Sequence, residues 1–344
     1  PLIFSASVFA NRCMISEEPN ILDDKRSIEE LEESNRNFDE LEKYWKKLNL
    51  RKQQEHQLDS FRKSTTPKIN AGLNFIFSQN TIIKNNYGYY GHTKWKALSN
   101  YVAGITKKKI RSDYMDNNFL KTIDDSTPFV YFPLHQTPER ELFIASPFNT
   151  NQIETIKHIS KSLPIGYRLC VKEHPTQVTR EWRDISFYKE VLSIPNVQFL
   201  HYSVKSEYVL KKCSLVITIH GAAGLEAAIH KKPAIIFSDF FYSILPCVYK
   251  LQSIEELPTA IRSSLQTKVN ASDVSRFLNF LDANSIDFDL FGFELDYHNY
   301  FFHGGHLIDV NIPEEKAKQF IKKHESSFDA LADEFIKKIN YFEK

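Results

Sequence analysis

Apolar residues follow two different rhythms along this chain, and the change falls near residue 126. Over residues 24–64, Ile28, Leu31, Phe38, Leu41, Tyr44, Trp45, Leu48 and Leu50 stand three or four apart among charges. That spacing predicts amphipathic helices whose charges form a solvated face. Ser64-Thr65-Thr66-Pro67 reads as a break, and Leu73–Phe77 as a strand or the start of a helix. Tyr87–His92 reads as a loop with exposed aromatic residues. Residues 94–114 form a basic segment, with Trp95, Leu98, Tyr101, Val102 and Ile105 between the lysines. Such a helix can lie on an anionic membrane surface or pack on its own domain with a solvated lysine edge.

Asp124–Pro128 reads as a linker, and short apolar runs then alternate with helical patterns. Strands are expected at Phe129–Leu134, Arg168–Val171, Val197–Leu200, Leu215–Ile219 and Ala234–Phe237. Helices are expected at Thr150–Ser162, Phe187–Leu192, Ser206–Lys212, Gly224–His230 and Ser253–Ser264. This alternation implies βαβ crossovers and a parallel sheet, hence a Rossmann-like α/β domain over 126–265. Residues 1–125 would form a helix-rich, incomplete N-terminal domain on the acceptor side. Residues 266–344 would form a helical region packing back across the domains, interrupted by the aromatic and histidine-rich stretch Phe288–His306. The chain lacks an initiating Met, which suggests a trimmed N-terminus with Leu2–Phe4 a remnant of an N-terminal sheet.

Composition adds boundaries. At 344 residues there is room for two cores. A formal net charge of +1 provides no global field to recruit nucleic acid, although local patches still count. No apolar run approaches the roughly 18 to 20 residues of a membrane span. The first ten residues lack the basic region of a secretory signal. Cys13, Cys170, Cys213 and Cys247 show no paired spacing and read as core thiols of a cytoplasmic protein.

The chemistry gathers where strands end. Val171-Lys172-Glu173-His174-Pro175 closes one strand, and proline pushes the preceding residue to extended geometry, which projects the His174 imidazole outward. Of its neighbours Lys172 and Glu173, strand alternation directs one with His174 and the other away. A second strand runs into His220-Gly221-Ala222-Ala223-Gly224-Leu225-Glu226. Small residues there let the backbone approach a ligand, and a helix N-terminus offers N–H groups to a phosphate. Glu226 could take a ribose hydroxyl or complement the helix dipole. Ligands bind at the carboxyl ends of the strands in open parallel sheets, so both segments point to one crevice. After the first strand of the domain, Glu139 or Glu141 could serve as nucleophile or general base, with Arg140 binding an anionic donor. There is no GxGxxG, P-loop, GxSxG or HExxH pattern, which disfavours NAD, P-loop NTPase, serine-hydrolase and zincin chemistry. His298, His303 and His306 fit no zinc spacing, and an aromatic lid or packing loop is the better reading.

Tyr131–Glu139, Val171–Pro175, Thr218–Ala227, Lys232-Pro233 and Phe241-Tyr242 together resemble the capsule polysaccharide biosynthesis family, over roughly residues 127–262. Its well-understood members are bacterial Kdo transferases. The resemblance implies a GT-B fold with the nucleotide held mainly by the C-terminal Rossmann-like domain. It implies that His174-Pro175 contacts the nucleotide of a CMP-sugar and that the turn from Thr218 to Gly224 holds the donor phosphate. Together these readings give a candidate donor-binding set of His135, Gln136, Lys172, Glu173, His174, Pro175, Thr218, His220, Gly221, Ala222, Gly224, Glu226 and Tyr242, with Glu139, Glu141 and His174 as the catalytic candidates. The family's acidic residue after the first strand matches Glu139, or by another alignment Glu141, where retaining members carry Asp.

The expected activity is therefore a metal-independent glycosyltransferase of surface polysaccharide assembly. It would move a Kdo-like or other acidic sugar from a nucleotide-sugar donor, CMP-linked by the resemblance, to a glycan or lipid-linked acceptor. No cofactor is expected, no nucleic acid is a partner, and the segment 94–111 would orient the protein at the inner membrane face. A teichoic-acid-like glycerophosphate polymer transferase is one alternative, although His220–Ala223 lacks the Ser-Ser pair that would favour it. A non-catalytic GT-B partner subunit is another.

Overall fold

The structure is a computed structural model, and it describes residues 2–48, 65–77, 94–124, 126–137, 140–174, 177, 183–306 and 310–343. In chain order the elements begin with strands β1 (Ile3–Ala6) and β2 (Arg12–Ser16) and helices α1 (Phe38–Leu48), α2 (Thr65–Phe77) and α3 (Lys94–Asn118). Next come β3 (Phe129–Pro133), α4 (Arg140–Ala145), α5 (Gln152–Ser162), β4 (Arg168–Lys172), α6 (Ile185–Ser193), β5 (Val197–Leu200) and α7 (Ser206–Lys212). Then follow β6 (Leu215–Thr218), α8 (Ala223–Ile229), β7 (Ala234–Ile236), β8 (Val248–Lys250), α9 (Leu257–Ser264) and α10 (Ala271–Ala283). The chain closes with β9 (Ile286–Asp287), α11 (Leu290–Phe301), α12 (Glu314–Lys323) and α13 (Glu325–Phe342).

Two compact units emerge, each assembled from separated segments. One comprises residues 18–47 and 108–283. Its six strands are all parallel, in the order β5-β4-β3-β6-β7-β8. Numbered from β3, that is 3-2-1-4-5-6, the doubly wound order whose direction of growth reverses between β3 and β6. Near-continuous apolar strands are what a sheet covered on both faces requires. Val130, Phe132, Leu169, Val171, Leu215, Ile217 and Ile235 are all buried in one cluster. Phe119, just after α3, stacks on Phe199 with centroids 4.2 Å apart, and Tyr188 meets both rings edge-on. The α/β class with a Rossmann-type domain is borne out, and its expected elements hold to within a few residues. β8 is an addition that the sequence reading did not contain.

The other unit comprises residues 1–17, 48–107 and 284–344. β1, β2 and β9 form a small antiparallel sheet, so Ile3 and Phe4 do belong to a strand. Its α11 runs through the stretch expected to interrupt the helices. Asp289 accepts the Gly292 N–H at 2.9 Å and starts that helix, whose Phe293, Tyr297 and Phe301 recur every four residues and pack against Phe320. The chain leaves it through His303, Gly304 and Gly305, all at positive φ.

Two further expectations are corrected. Residues 24–37 hold one 3-10 turn, Ile28–Glu30, and no amphipathic helix. Ile28 and Leu31 are buried, but Ser34 and Arg36 bond to Ser275 and Asn279 on α10, and Asn37 caps α1 by accepting the N–H groups of Asp39 and Glu40. These side-chain bonds replace helical ones. The expected break at Thr65–Pro67 is the first turn of α2, where proline lacks only an N–H the helix does not use, and Leu73–Phe77 is its last. Tyr87–His92 lies outside the described residues. All four cysteines are free and buried. Among the described residues, no helix is long and apolar enough to cross a membrane.

Candidate active site at the carboxyl edge of the parallel sheet

Register aligns three histidines. Pro133 on β3 pairs with Lys172 on β4, and Tyr131 pairs with Val216 on β6, which sets Thr218 level with Pro133. Two residues beyond these positions stand His135, His174 and His220. Three neighbouring strands thus end at one level in an imidazole, on either side of the point where strand order reverses. His201 follows Leu200 at the end of β5, next to β4.

The turn after β6 is held from within the protein. Gly221 has φ +103°, a left-handed conformation that favours glycine. The Tyr242 hydroxyl donates to the Gly221 carbonyl at 2.5 Å, and burial raises its pKa above the ordinary tyrosine value. Tyr242 also explains Gly224, because a Cβ there would stand 2.5–2.8 Å from its ring and hydroxyl. Thr218 Oγ1 donates to the His220 carbonyl at 3.0 Å. The His220 N–H donates to His135 Nε2 at 3.2 Å, so a neutral His135 carries its proton on Nδ1. Ser238 donates its hydroxyl hydrogen to the Ile219 carbonyl at 3.1 Å and therefore accepts from His220 Nδ1 at 3.0 Å. The remaining His220 nitrogen, Nε2, faces the Asn20 amide at 3.5 Å, and Phe240 meets the ring edge-on.

The loop after β3 is braced by groups from three directions. Gln152 accepts the His135 N–H at 2.8 Å and donates to the His135 carbonyl at 3.2 Å. Gln177 repeats the pattern two residues on, accepting from Thr137 N–H at 2.8 Å and donating to its carbonyl at 3.0 Å. Each buried amide takes the place of a neighbouring strand, bonding alternate residues of the loop. Arg183 donates to the His135 carbonyl, to Thr137 Oγ1 at 2.9 Å and to Glu173 Oε2 at 3.0 Å. Glu173 is fully buried and also accepts from the Tyr188 hydroxyl at 2.9 Å and the His174 N–H at 2.9 Å. One carboxylate thereby ties the loop after β4 to the loop after β3.

The sequence-derived set divides by burial. His135, Gln136, His174, Gly221 and Ala222 are half-buried at the edge, as is Ala223. Lys172, Glu173, Thr218, His220, Gly224, Glu226 and Tyr242 are buried. The Lys172 ammonium donates to Ser206 Oγ at 3.2 Å, at the start of α7. Glu139 and Pro175 lie outside the described residues, and the backbone sets Glu141 in the first turn of α4. Among the described residues, no three His, Cys, Asp or Glu side chains are grouped to hold a metal ion. His303 sits 3.5 Å from Asn74, and His298 contacts the Tyr297 and Phe302 rings. Gln152, Gln177, Arg183 and Tyr188 escaped the sequence reading. Arg183 stands in an ordinary run of charges, and nothing local marks it as buried.

At the edge, then, imidazoles and the backbone of a glycine turn stand together at the ends of neighbouring strands, with buried groups fixing both. That arrangement can donate hydrogen bonds to anionic oxygens without rearranging. Residues 48–262 match the family described as "Capsule polysaccharide biosynthesis protein". No curated protein sequence matches the chain. Among solved structures, UDP-GlcNAc 2-epimerase from Methanocaldococcus jannaschii is similar with 17% identity and a TM-score of 0.32, over 51% of this chain and 50% of that one. KpsC, a beta Kdo 2,7 transferase of Thermosulfurimonas dismutans, is similar with 19% identity and a TM-score of 0.30, over 40% of this chain and 45% of that one. The chain thus spans about half the length of these two proteins.

Proposed function

Because the chain belongs to the capsule polysaccharide biosynthesis protein family, we propose that it is a glycosyltransferase of capsular or surface polysaccharide assembly. The donor is a nucleotide sugar, CMP-linked and carrying a Kdo-like or other acidic sugar, and the acceptor is a glycan or lipid-linked glycan. The observation that carries this reading is the level row of His135, His174 and His220 at the strand-order reversal, beside the Gly221 turn.

In this reading His174 contacts the nucleotide, and the half-buried Gly221–Ala223 backbone and His135 meet the donor phosphate. Charge that builds on the leaving phosphate is met by N–H donors already aimed at it, so no metal is required. Thr218, His220, Glu173 and Tyr242 act through the loops they hold. Glu139 or Glu141 supplies the nucleophile or base. A peripheral position at the inner membrane face, through residues 94–111, belongs to the same reading.

Calorimetric titration with CMP, UMP and CDP tests it. CMP is expected to bind the wild type and to lose at least tenfold in affinity in His174→Ala, about 1.4 kcal/mol. Absence of binding by all three nucleotides would overturn the transferase reading.

A further inference from the structure

A cavity of about 270 Å³ opens at the amino edge of the parallel sheet, the edge opposite the histidine row. Phe38, Asp39 and Glu42 of α1 line it together with His230, Lys231 and Lys232, which join α8 to β7. All six belong to the sheet unit. The volume lies just below the roughly 300–1,000 Å³ of pockets that take drug-sized molecules, so it suits one small ring.

The turn that carries the two lysines holds an unusual residue. α8 ends in a pair of nested bonds, from the Lys231 N–H to the Ala228 carbonyl at 3.1 Å and from the Lys232 N–H to the Ala227 carbonyl at 2.8 Å. That pattern needs a left-handed residue just after the helix, and glycine usually fills it. Here the residue is Lys231, at φ +63°. A side chain at that conformation costs stability that glycine would not, and such strain gathers at functional sites. The side chain it allows sets an ammonium group 5.0 Å from the centre of the Phe38 ring, in the cavity wall.

The wall keeps bonding capacity in reserve. Glu42 is already engaged, because Lys46 and Lys211 both bond to it. Lys231 and Lys232 join no ion pair among the described residues. The His230 side chain is only 6% exposed, yet its ring makes no hydrogen bond among the described residues, and Glu42 Oε2 stands 3.9 Å from Nδ1. Burial lowers the His230 pKa below its ordinary 6.5, so the neutral ring offers one donor and one acceptor. A buried polar ring of this kind costs stability until something bonds to it.

These groups select a ligand. Two ammonium groups call for negative charge. A neutral imidazole and the exposed Asp39 carboxylate call for hydroxyl groups. Asp39 and Glu42 would repel a doubly charged phosphate. A sugar that carries a carboxylate meets each demand. We propose that this cavity is a second carbohydrate site, holding a carboxylated sugar unit of the acceptor or product glycan, with Lys231 and Lys232 on the carboxylate and His230 and Asp39 on hydroxyl groups. The choice of an acidic glycan rests on the proposed function, and the site goes beyond that reading by placing glycan at the edge opposite the donor. A second hold of this kind keeps a growing chain bound between transfers.

The test is ligand-observed NMR titration of the full chain with methyl β-D-glucuronide, methyl β-D-glucoside and inorganic phosphate. The glucuronide is expected to bind about tenfold or more tightly than either of the others. Lys232→Gln should weaken glucuronide binding by about tenfold. Lys231→Gly is the sharper variant, because glycine suits the turn. It should leave the melting temperature unchanged or higher while glucuronide binding falls by about tenfold. Full binding by that variant would give Lys231 no part in a site and overturn the proposal. Glucuronide affinity should be the same with and without saturating CMP, and the same in His174→Ala. Selective glucuronide binding in a chain that binds no nucleotide would sink the transferase reading and leave this site standing. Equal binding of glucuronide and glucoside, tighter binding of phosphate, competition by CMP, or no binding at all overturns the proposal.

Discussion

The two edges of the six-stranded sheet are both rich in charged and polar residues, but they are built in opposite ways. At the carboxyl edge, the buried side chains of Glu173 and Arg183 bond to each other, Arg183 also donates to Thr137 and the His135 carbonyl, and Glu173 also accepts from Tyr188. At the amino edge, Glu42 on α1 receives Lys46 at 2.6 Å and Lys211 at 2.7 Å, and Glu207 joins the same two lysines. All four of those side chains are partly open to water, beside a cavity of about 270 Å³ lined by Phe38, Glu42, His230 and Lys231 among others. Buried polar groups must keep their partners or bear the full cost of desolvation, whereas exposed pairs exchange a partner for water at little cost. The bonds of Glu173 and Arg183 at the carboxyl edge are therefore the costlier ones to break, and a pre-aimed donor site needs groups held in that way.

That contrast breaks most sharply at Arg183. Arg183→Met leaves Glu173 buried without its cation, and chemical denaturation should reveal a loss of about 3 kcal/mol or more. Nucleotide affinity should fall with it, because the loop holding His135 loses its brace. Lys211→Met at the amino edge should cost less than about 1 kcal/mol and leave nucleotide binding unchanged. Equal losses from the two substitutions would contradict the difference between the edges.

Gly224→Ala comes next. The new methyl would meet the Tyr242 ring and hydroxyl at 2.5–2.8 Å, and that buried ring has little room to yield. A loss of about 2 kcal/mol is expected from the denaturation midpoint, with the Gly221 turn displaced. A neutral result would mean that Tyr242 can move and does not fix the turn.

The smallest effect is the pH response of the amino edge. Hydrogen bonds from Lys211 and Lys46 lower the Glu42 pKa from its ordinary 4.5 to about 2. Its contribution to stability is then complete above 4.5 and is lost as pH falls toward about 2. Glu42→Gln should remove part of the acid-side slope in that window while changing stability at neutral pH by less than about 1 kcal/mol. An unchanged slope would show that the pair contributes nothing.

Much of the sheet unit was legible before any coordinates. Val197–Leu200 and Ser206–Lys212 appear where expected, because short Val/Ile/Leu runs bounded by polar turns have few other uses. The histidine and glycine turns stand out for the same reason, since each interrupts an apolar strand. Residues 24–37 and 288–306 were misread, because their apolar spacing also suits a 3-10 turn or an aromatic helix. What decides is a partner far along the chain: Ser275 and Asn279 for the first, Phe320 for the second. Equally hidden were Arg183 and Gln177, polar residues in polar surroundings whose burial no neighbouring residue announces.

Taken alone, the sequence determined the alternation of strands and helices, the residues that close each strand, and the basic segment at residues 94–114. These are local properties, set by side-chain periodicity and backbone preference. Only the tertiary structure decided that His135, His174 and His220 end level, that Gly224 yields its space to Tyr242, and that Glu173 faces Arg183 and Tyr188 inside the protein. Register, close approach and burial depend on contacts between residues tens of positions apart, and no local pattern encodes them.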